Sequence, residues 1–406
     1  MKETGLIPGL FKLESGKIIA VLTKYLGIEH LQVAEDIAGE TFLAALETWP
    51  YKGIPEHPVA WLYTVAKNKA KNHLKREQTF SQKVFDEVKR TTDDSVEPDF
   101  DWSGQHISDS QLQMLFAICH PSLPVDSQIG LALRILCGFG IEEIANAFLT
   151  NKETINKRLF RAKEKLREEK VEFVFPSTAD IPKRLDAVMT TLYLLFNEGY
   201  YSESHESVLR DDLCLEAMRL ACLLIDNEIT NVPEVNALLA LMYFHASRFP
   251  ARKDANTGLI LYENQDESLW NQELIAKGAF LLHQASQGNK LSKYHLEASI
   301  AYWHTIKEDT HEKWENILQL YNKLLQLEYS PIAALNRTFA LSKAKGKEEA
   351  IREAEKLQLN DNPYYHTLLG VLYKDIDPQK SKENFERALL VARTDADRKA
   401  IAFHTQ

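Results

Sequence analysis

Apolar residues recur along this chain at intervals of three and four, the period of helices packed on one side. That spacing predicts helices over residues 31–49, 58–77, 111–120, 127–137, 141–148 and 152–170. Further amphipathic segments run from Ile181 to about Ala402, and strand-like alternation is scarce. The pattern predicts an all-α protein. It breaks twice. Between 78 and 110 the chain turns polar and acidic, with Asp86, Glu87, Asp93, Asp94, Glu97, Asp99, Asp101 and Asp109, a composition that cannot offset the entropy of ordering and reads as a flexible linker. Between 173 and 182, Pro176 and Pro182 interrupt a long helix. The expected organisation is a helical domain at 1–77, a linker at 78–110, a second helical domain at 111–171 and a helical extension at 172–406.

The extension carries an internal period. Ala301, Leu335 and Leu369 recur every 34 residues, as do Ile317, Ile351 and Phe385; Ala354 with Ala388 and Leu357 with Val391 keep the offset. Ser330-Pro331, Gly346, Asn362-Pro363 and Asp377-Pro378 fall where hairpin turns are needed. A 34-residue helix-turn-helix period is that of tetratricopeptide repeats, which stack into a solenoid; coincidence among Leu-rich helices is the alternative.

Composition excludes some classes. No apolar run reaches the roughly 18 residues of a membrane span, and the start of the chain lacks the features of a secretory signal, so a cytoplasmic protein is expected. Cys119, Cys137, Cys214 and Cys222 stand far apart with no zinc spacing and read as buried thiols. No metal site, cofactor motif or nucleophile arrangement is present, so neither cofactor nor enzymatic activity is expected. The net charge of −10 speaks against nucleic acid, but residues 1–171 hold 22 basic against 24 acidic groups and the remainder 26 against 34. In the first part the basic groups concentrate in two short helices, and such patches govern phosphate binding.

One patch follows helix-turn-helix spacing. Ile144, Phe148, Ile155 and Leu159 supply apolar contacts, Ala145 the close approach, and Leu149 stands where Gly often makes the turn. Ile155, Leu159, Ala162 and Leu166 form the inward frame of the second helix, and Lys152, Thr154, Asn156, Lys157, Arg158, Arg161, Lys163 and Lys165 cover its other sides. As a recognition helix, it would read bases with Thr154, Asn156, Lys157 and Arg158 and hold phosphates with Arg161, Lys163 and Lys165. Otherwise it is a solvated charged face. The other patch is the helix from Pro58, with Trp61, Leu62, Val65, Ala66, Ala70 and Leu74 inward and Lys67, Asn68, Lys69, Lys71, Asn72, Lys75 and Arg76 on a polar, basic face. Trp61 reads as core or as a base-stacking platform. In the helix before it, Glu35, Asp36 and Glu40 accompany an apolar set of Ile37, Phe42, Leu43 and Leu46. Glu35 and Asp36 stabilise a helix start or belong to a protein-docking surface.

Ala34-Glu35-Asp36-Ile37, Glu40-Thr41-Phe42 and Ala45-Leu46, followed by Trp61-Leu62-Tyr63, Ala66, Asn68, Ala70-Lys71-Asn72 and Leu74, resemble region 2 of extracytoplasmic-function sigma factors. The basic helix-turn-helix resembles their region 4, and the acidic stretch the linker between. The remainder resembles the subgroup with a C-terminal tetratricopeptide-like extension, on Leu194 to Tyr200, on Glu234 with Ala237 to Met242, and on Ser330-Pro331 with Ala334-Leu335-Asn336-Arg337. The resemblance implies core RNA polymerase and promoter DNA as partners, with Glu35, Asp36 and Glu40 docking on polymerase. It implies that the -10 element is held by the 52–57 loop with Lys52 and by Lys67, Asn68, Lys71, Asn72, Lys75 and Arg76, and that region 4 reads the -35 element. It implies an extension that regulates by contacting the sigma core, polymerase or a regulatory protein, with Asn197, Glu198, Tyr200 and Tyr201 near the core-facing surface; alternatively Phe196 and Tyr200 are core. A tetratricopeptide scaffold and a dimeric helix-turn-helix repressor are the rival readings; the first leaves the paired basic helices unexplained, the second residues 31–77.

Overall fold

A computed structural model describes residues 6–85, 100–148, 150–200, 207–254, 258–260, 262–392, 398, 401–402 and 404. The linker acids Asp86, Glu87, Asp93, Asp94, Glu97 and Asp99, together with Leu149 and Tyr201, lie outside the described residues. Helix dominates, and the described strand is a two-residue antiparallel ladder, Lys253–Asp254 with Gly258–Leu259. The fold is all-α, as the apolar period predicts. Two compact units divide the chain: residues 1–200 with 206–230, and 201–205 with 231–406.

The first unit begins with α1 (Leu6–Leu26), α2 (Leu31–Lys52) and α3 (Pro58–Phe85). Gly53, at φ 82°, ends α2, and Pro58 occupies the first position of α3, where its missing N–H costs nothing. Next come α4 (Gly104–Ile118) and α5 (Val125–Leu131), the latter running into a π turn at Ala132–Leu136, then α6 (Ile141–Ala147) and α7 (Lys152–Glu168). Helices α8 (Ile181–Tyr200) and α9 (Ser207–Ile225) close the unit. A close seam forms where α1 meets the π turn. Gly16 is buried there, and a Cβ on it would stand 2.4 Å from the Leu136 carbonyl oxygen. The absence of a side chain is what lets the two backbones touch.

Two boundaries differ from the sequence expectation. Phe100 is buried against Tyr25, ring centroids 4.6 Å apart, and Trp102 stacks on Tyr63 at 4.6 Å and 16°. Ser103 then caps α4 by accepting from the His106 N–H. Residues 100–110 therefore pack and coil although their polar composition reads as linker: two aromatic rings outweigh it. The segment expected to open the extension also lies in the first unit. Arg184 of α8 donates to the Phe116 carbonyl at 2.6 Å, the Thr191 hydroxyl to Gln128 Oε1 at 2.7 Å, and Arg219 of α9 to the Leu136 carbonyl at 3.0 Å. Phe196 is buried in this packing, whereas Asn197, Glu198 and Tyr200 are half-buried.

The second unit holds α10 (Pro233–Ala246), α11 (Phe249–Arg252), α12 (Gln272–Ala285), α13 (Lys293–Trp303), α14 (His311–Leu327), α15 (Pro331–Lys345), α16 (Lys347–Leu357), α17 (Pro363–Tyr373) and α18 (Pro378–Val391). Helix α10 packs on α12 and α13, and from α12 to α18 each helix packs on the next in chain order, in solenoid-like fashion. The turn residues act as expected. Ser330, Asn362 and Asp377 accept from backbone N–H groups of α15, α17 and α18, each followed by Pro at the first position. Ala301, Leu335 and Leu369 are buried on α13, α15 and α17, and Ile317, Ile351 and Phe385 on α14, α16 and α18. The 34-residue period thus marks three successive helix pairs with the same inward positions.

Candidate nucleic-acid interface

Helix α7 owes its start to Asn151, whose side chain accepts from the Thr154 N–H at 2.8 Å. Its predicted inward frame is buried, Ile155, Leu159, Ala162 and Leu166 each at 4% exposure or less. Helix α6, which sets the approach of α7, is capped by Glu143 accepting from the Gly140 N–H at 2.6 Å. Ile144 and Ala145 are buried between the two helices, and Phe148 is half-buried.

The polar side of α7 is not uniform. Asn156, Lys157 and Arg161 are exposed on the face opposite the frame, and Lys152 and Thr154 are exposed near the start. Lys152 pairs with Glu142 at 2.9 Å. Lys165 pairs with Glu169 at 2.7 Å, and that hydrogen bond and charge hold its ammonium above the ordinary lysine range. Arg158 is drawn over the Phe148 ring, 5.2 Å from its centroid, and lies 3.7 Å from Asp126. Lys163 turns to the flank, donating to the Glu35 carboxylate of α2 and to Gln32 Oε1 at 2.9 Å. One residue of the outward face escaped the sequence reading. Phe160 is 65% exposed between Lys157 and Arg161, and the signal for it is an aromatic residue standing off the inward frame.

Helix α3 buries Leu62, Ala66 and Ala70 and half-buries Trp61, which meets Trp49 edge-on at 5.4 Å. Trp61 is thus a packing residue more than a platform. On the other side, Asn68, Asn72, Lys75 and Arg76 are exposed, with Lys67 and Lys71 half-buried. The loop before α3 is open: Lys52, Gly53, Ile54, Glu56 and His57 are exposed, and Tyr51 is 89% so. Tyr63 faces inward and donates to the buried Glu14 at 2.5 Å; burial first, then that bond, pushes its phenol well above the ordinary range.

Helix α2 corrects the sequence reading at Glu35 and divides the apolar set between two faces. Ile37 and Phe42 are buried, whereas Leu43 and Leu46 are each 52% exposed, because the inward stripe runs through 34, 37, 38, 41, 42, 45 and 49 and leaves them on the other side. Glu35, expected on a docking surface, is buried and faces Lys163 and Arg134, the latter 3.4 Å away. Asp36 and Glu40 are exposed, Asp36 accepting from Gln32 at 3.0 Å and Glu40 from Lys69 at 2.7 Å. The outward face of α2 is therefore Asp36, Glu40, Leu43, Leu46 and Glu47.

Residues 10–80, which cover α2 and most of α3, match the family Sigma-70 region 2. The RNA polymerase sigma-H factor of Pseudomonas aeruginosa is 26% identical over 151 residues, covering 36% of this chain and 77% of its own. Residues 10–80 thus carry a sigma-70 region 2 domain. A sigma factor acts in transcription initiation, in association with core RNA polymerase and promoter DNA, and is a non-catalytic regulator. Another relative matches nearly the whole chain. An uncharacterized protein of Rhizobium meliloti is 34% identical over 397 residues, 97% of this chain and 93% of its own, so the two belong to one family. Residues 184–286 match a family of unknown function (DUF6596), which starts in α8 and runs into α12. No solved structure matches the chain.

Among the described residues, no group of His, Cys, Asp and Glu could hold a metal, and no helix is long and apolar enough to cross a membrane. None of the four cysteines is in a disulfide, and Cys119, Cys137 and Cys214 are buried; burial pushes the Cys119 thiol up to about 12.

Proposed function

We propose that this protein is a cytoplasmic sigma factor of the extracytoplasmic-function type whose α6–α7 pair is a region 4 helix-turn-helix reading the -35 element. Asn156 and Lys157 reach base edges, and Arg161 holds phosphate. The outward face of α3, with Asn68, Lys71, Asn72, Lys75 and Arg76, and the loop from Lys52 hold the opened -10 strand, where a basic groove supplies the sequence-blind part of the affinity. Polymerase docks on the outward face of α2 through Leu43 and Leu46, flanked by Asp36, Glu40 and Glu47. The observation that carries this reading is one chain presenting two outward basic helix faces beside an exposed acidic and apolar one.

The tetratricopeptide-like unit regulates promoter access. Its removal is tested at residue 231, because cutting after Arg167 would strip α8 and α9 from the first unit and expose Leu185, Val188, Leu192 and Leu195. The decisive experiment is transcription in vitro with purified core polymerase and the full chain, mapping RNA 5′ ends. Protein-dependent starts at defined sites are expected, and Leu46→Glu lowers core-polymerase affinity about tenfold or more without altering unfolding. Failure of the full chain to associate with core polymerase at any ionic strength overturns the proposal.

A further inference from the structure

We infer that Phe160 is a specificity-determining residue that reads thymine 5-methyl groups in the major groove of the upstream promoter element. The inference rests on the assignment of α7 as the DNA-reading helix and adds a base contact that this assignment does not supply.

Its placement is unusual for a phenylalanine. The apolar frame of α7 is complete without it, since Ile155, Leu159, Ala162 and Leu166 are all buried, and Phe160 lies on the opposite side with 65% of its surface exposed. Its neighbours along that face are Asn156 and Lys157 one turn before it and Arg161 beside it, all exposed. Glu164, one turn on, is engaged by Arg167. An aromatic ring surrounded by cationic and amide groups fits a surface that is anionic at its rims and apolar at points inside. The major groove is such a surface: phosphates line it, and the thymine methyl is the one apolar group that a base pair exposes there.

Spacing supports the pairing. Asn156 and Phe160 stand four residues apart, about 6 Å along the helix. An A·T pair offers the adenine N6 and N7 edge to an amide and the thymine methyl to an apolar side chain. The two residues together therefore favour A·T pairs at adjacent or near-adjacent steps. A protein docking on Phe160 is the competing occupant, and it makes no distinction between thymine and uracil.

The test uses the full-length protein with core polymerase and a duplex selected from a randomised library by that complex. Each thymine of the upstream element is replaced in turn by deoxyuridine, which keeps the pairing and removes only the methyl. One or two replacements should weaken binding of the unmodified protein about 3–10-fold. Phe160→Ala should weaken binding of the thymine duplex by a similar factor, show no further loss with deoxyuridine, and leave the salt dependence unchanged. Because Phe160 is exposed, the variant should unfold at the same denaturant concentration or higher. Indifference of the unmodified protein to every replacement, or persistence of the methyl effect in Phe160→Ala, overturns the inference. Failure of the α7 assignment itself looks different: Arg161→Ala and Asn156→Ala then also leave binding untouched.

Discussion

Lys163 of α7 and Glu35 of α2 form an ion pair across 128 residues of chain. Arg134 of the π turn stands on the other side of the same carboxylate at 3.4 Å. The Glu35 side chain is 6% exposed, Lys163 19% and Arg134 32%, so the acid is the buried member and the two cations keep contact with water.

Removing the acid leaves two cations facing each other around an emptied site. Glu35→Ala should cost about 2–3 kcal/mol in urea unfolding, below the range for breaking a fully buried pair because its partners are partly solvated. In a double-mutant cycle with Lys163→Met, a coupling of about 1–2 kcal/mol is expected. A coupling of zero would show that the contact stabilises nothing.

The same contact separates basic residues that a sequence would treat alike. Arg161→Ala should weaken promoter binding evenly across sequences and reduce the salt slope by about one unit. Lys163→Ala should change the slope by less, since Glu35 already engages its charge. Arg158→Ala, which removes a contact with Phe148 and Asp126, should lower stability by about 0.5–1 kcal/mol with little effect on base preference. Titrations between low and moderate salt decide all three, and equal slope changes for Arg161 and Lys163 would contradict this reading.

Gly16 carries a sharper steric demand. A methyl group there would overlap the Leu136 carbonyl, and both sides of the contact are backbone. Gly16→Ala should destabilise the first unit by about 3 kcal/mol, the upper range for overpacking, whereas Gly39→Ala, with open space around its Cβ position, should be neutral or stabilising. Chemical denaturation of both variants distinguishes them.

Acid should loosen the second unit. Burial, followed by the charges of Arg248 and Lys313, lowers the His304 pKa from 6.5 to about 3. Burial, then Arg248, Arg252 and His304, also depresses His245. The unfolded chain takes up these protons near pH 6.5 and the folded one does not, so the unfolded state binds more protons in between. Stability therefore falls as pH drops from about 6.5 toward 3, by up to ~1.4 kcal/mol per pH unit for each histidine. Amide exchange in α13, corrected for intrinsic rates, should be less protected at pH 5 than at pH 7, and His304→Phe should reduce the difference. Equal protection at both values would refute the linkage.

Helix positions, caps and inward stripes followed from periodicity and turn chemistry. The Ile155 frame, the 34-residue marks from Ala301 to Phe385, and the Ser-Pro, Asn-Pro and Asp-Pro helix starts are local patterns, and local patterns are readable in one dimension. What the linear pattern leaves open shares a cause. Leu43 and Leu46 are as apolar as Ile37 and Phe42, yet their angle on α2 points them outward. Glu35 looks like surface because it is charged, yet a lysine and an arginine distant in sequence make its burial tolerable. Phe100 and Trp102 sit in a stretch whose average polarity hides them.

The order of amino acids thus determined that this chain would be helical, where its basic helix faces would lie and which family motif it carries. Only the tertiary structure decided which charged groups remain outward, that α8 and α9 belong to the first unit, and that an aromatic ring stands among the cations of α7. The physical reason is range: helical periodicity is set by neighbours three and four residues away, whereas exposure and charge pairing depend on segments brought together across the chain.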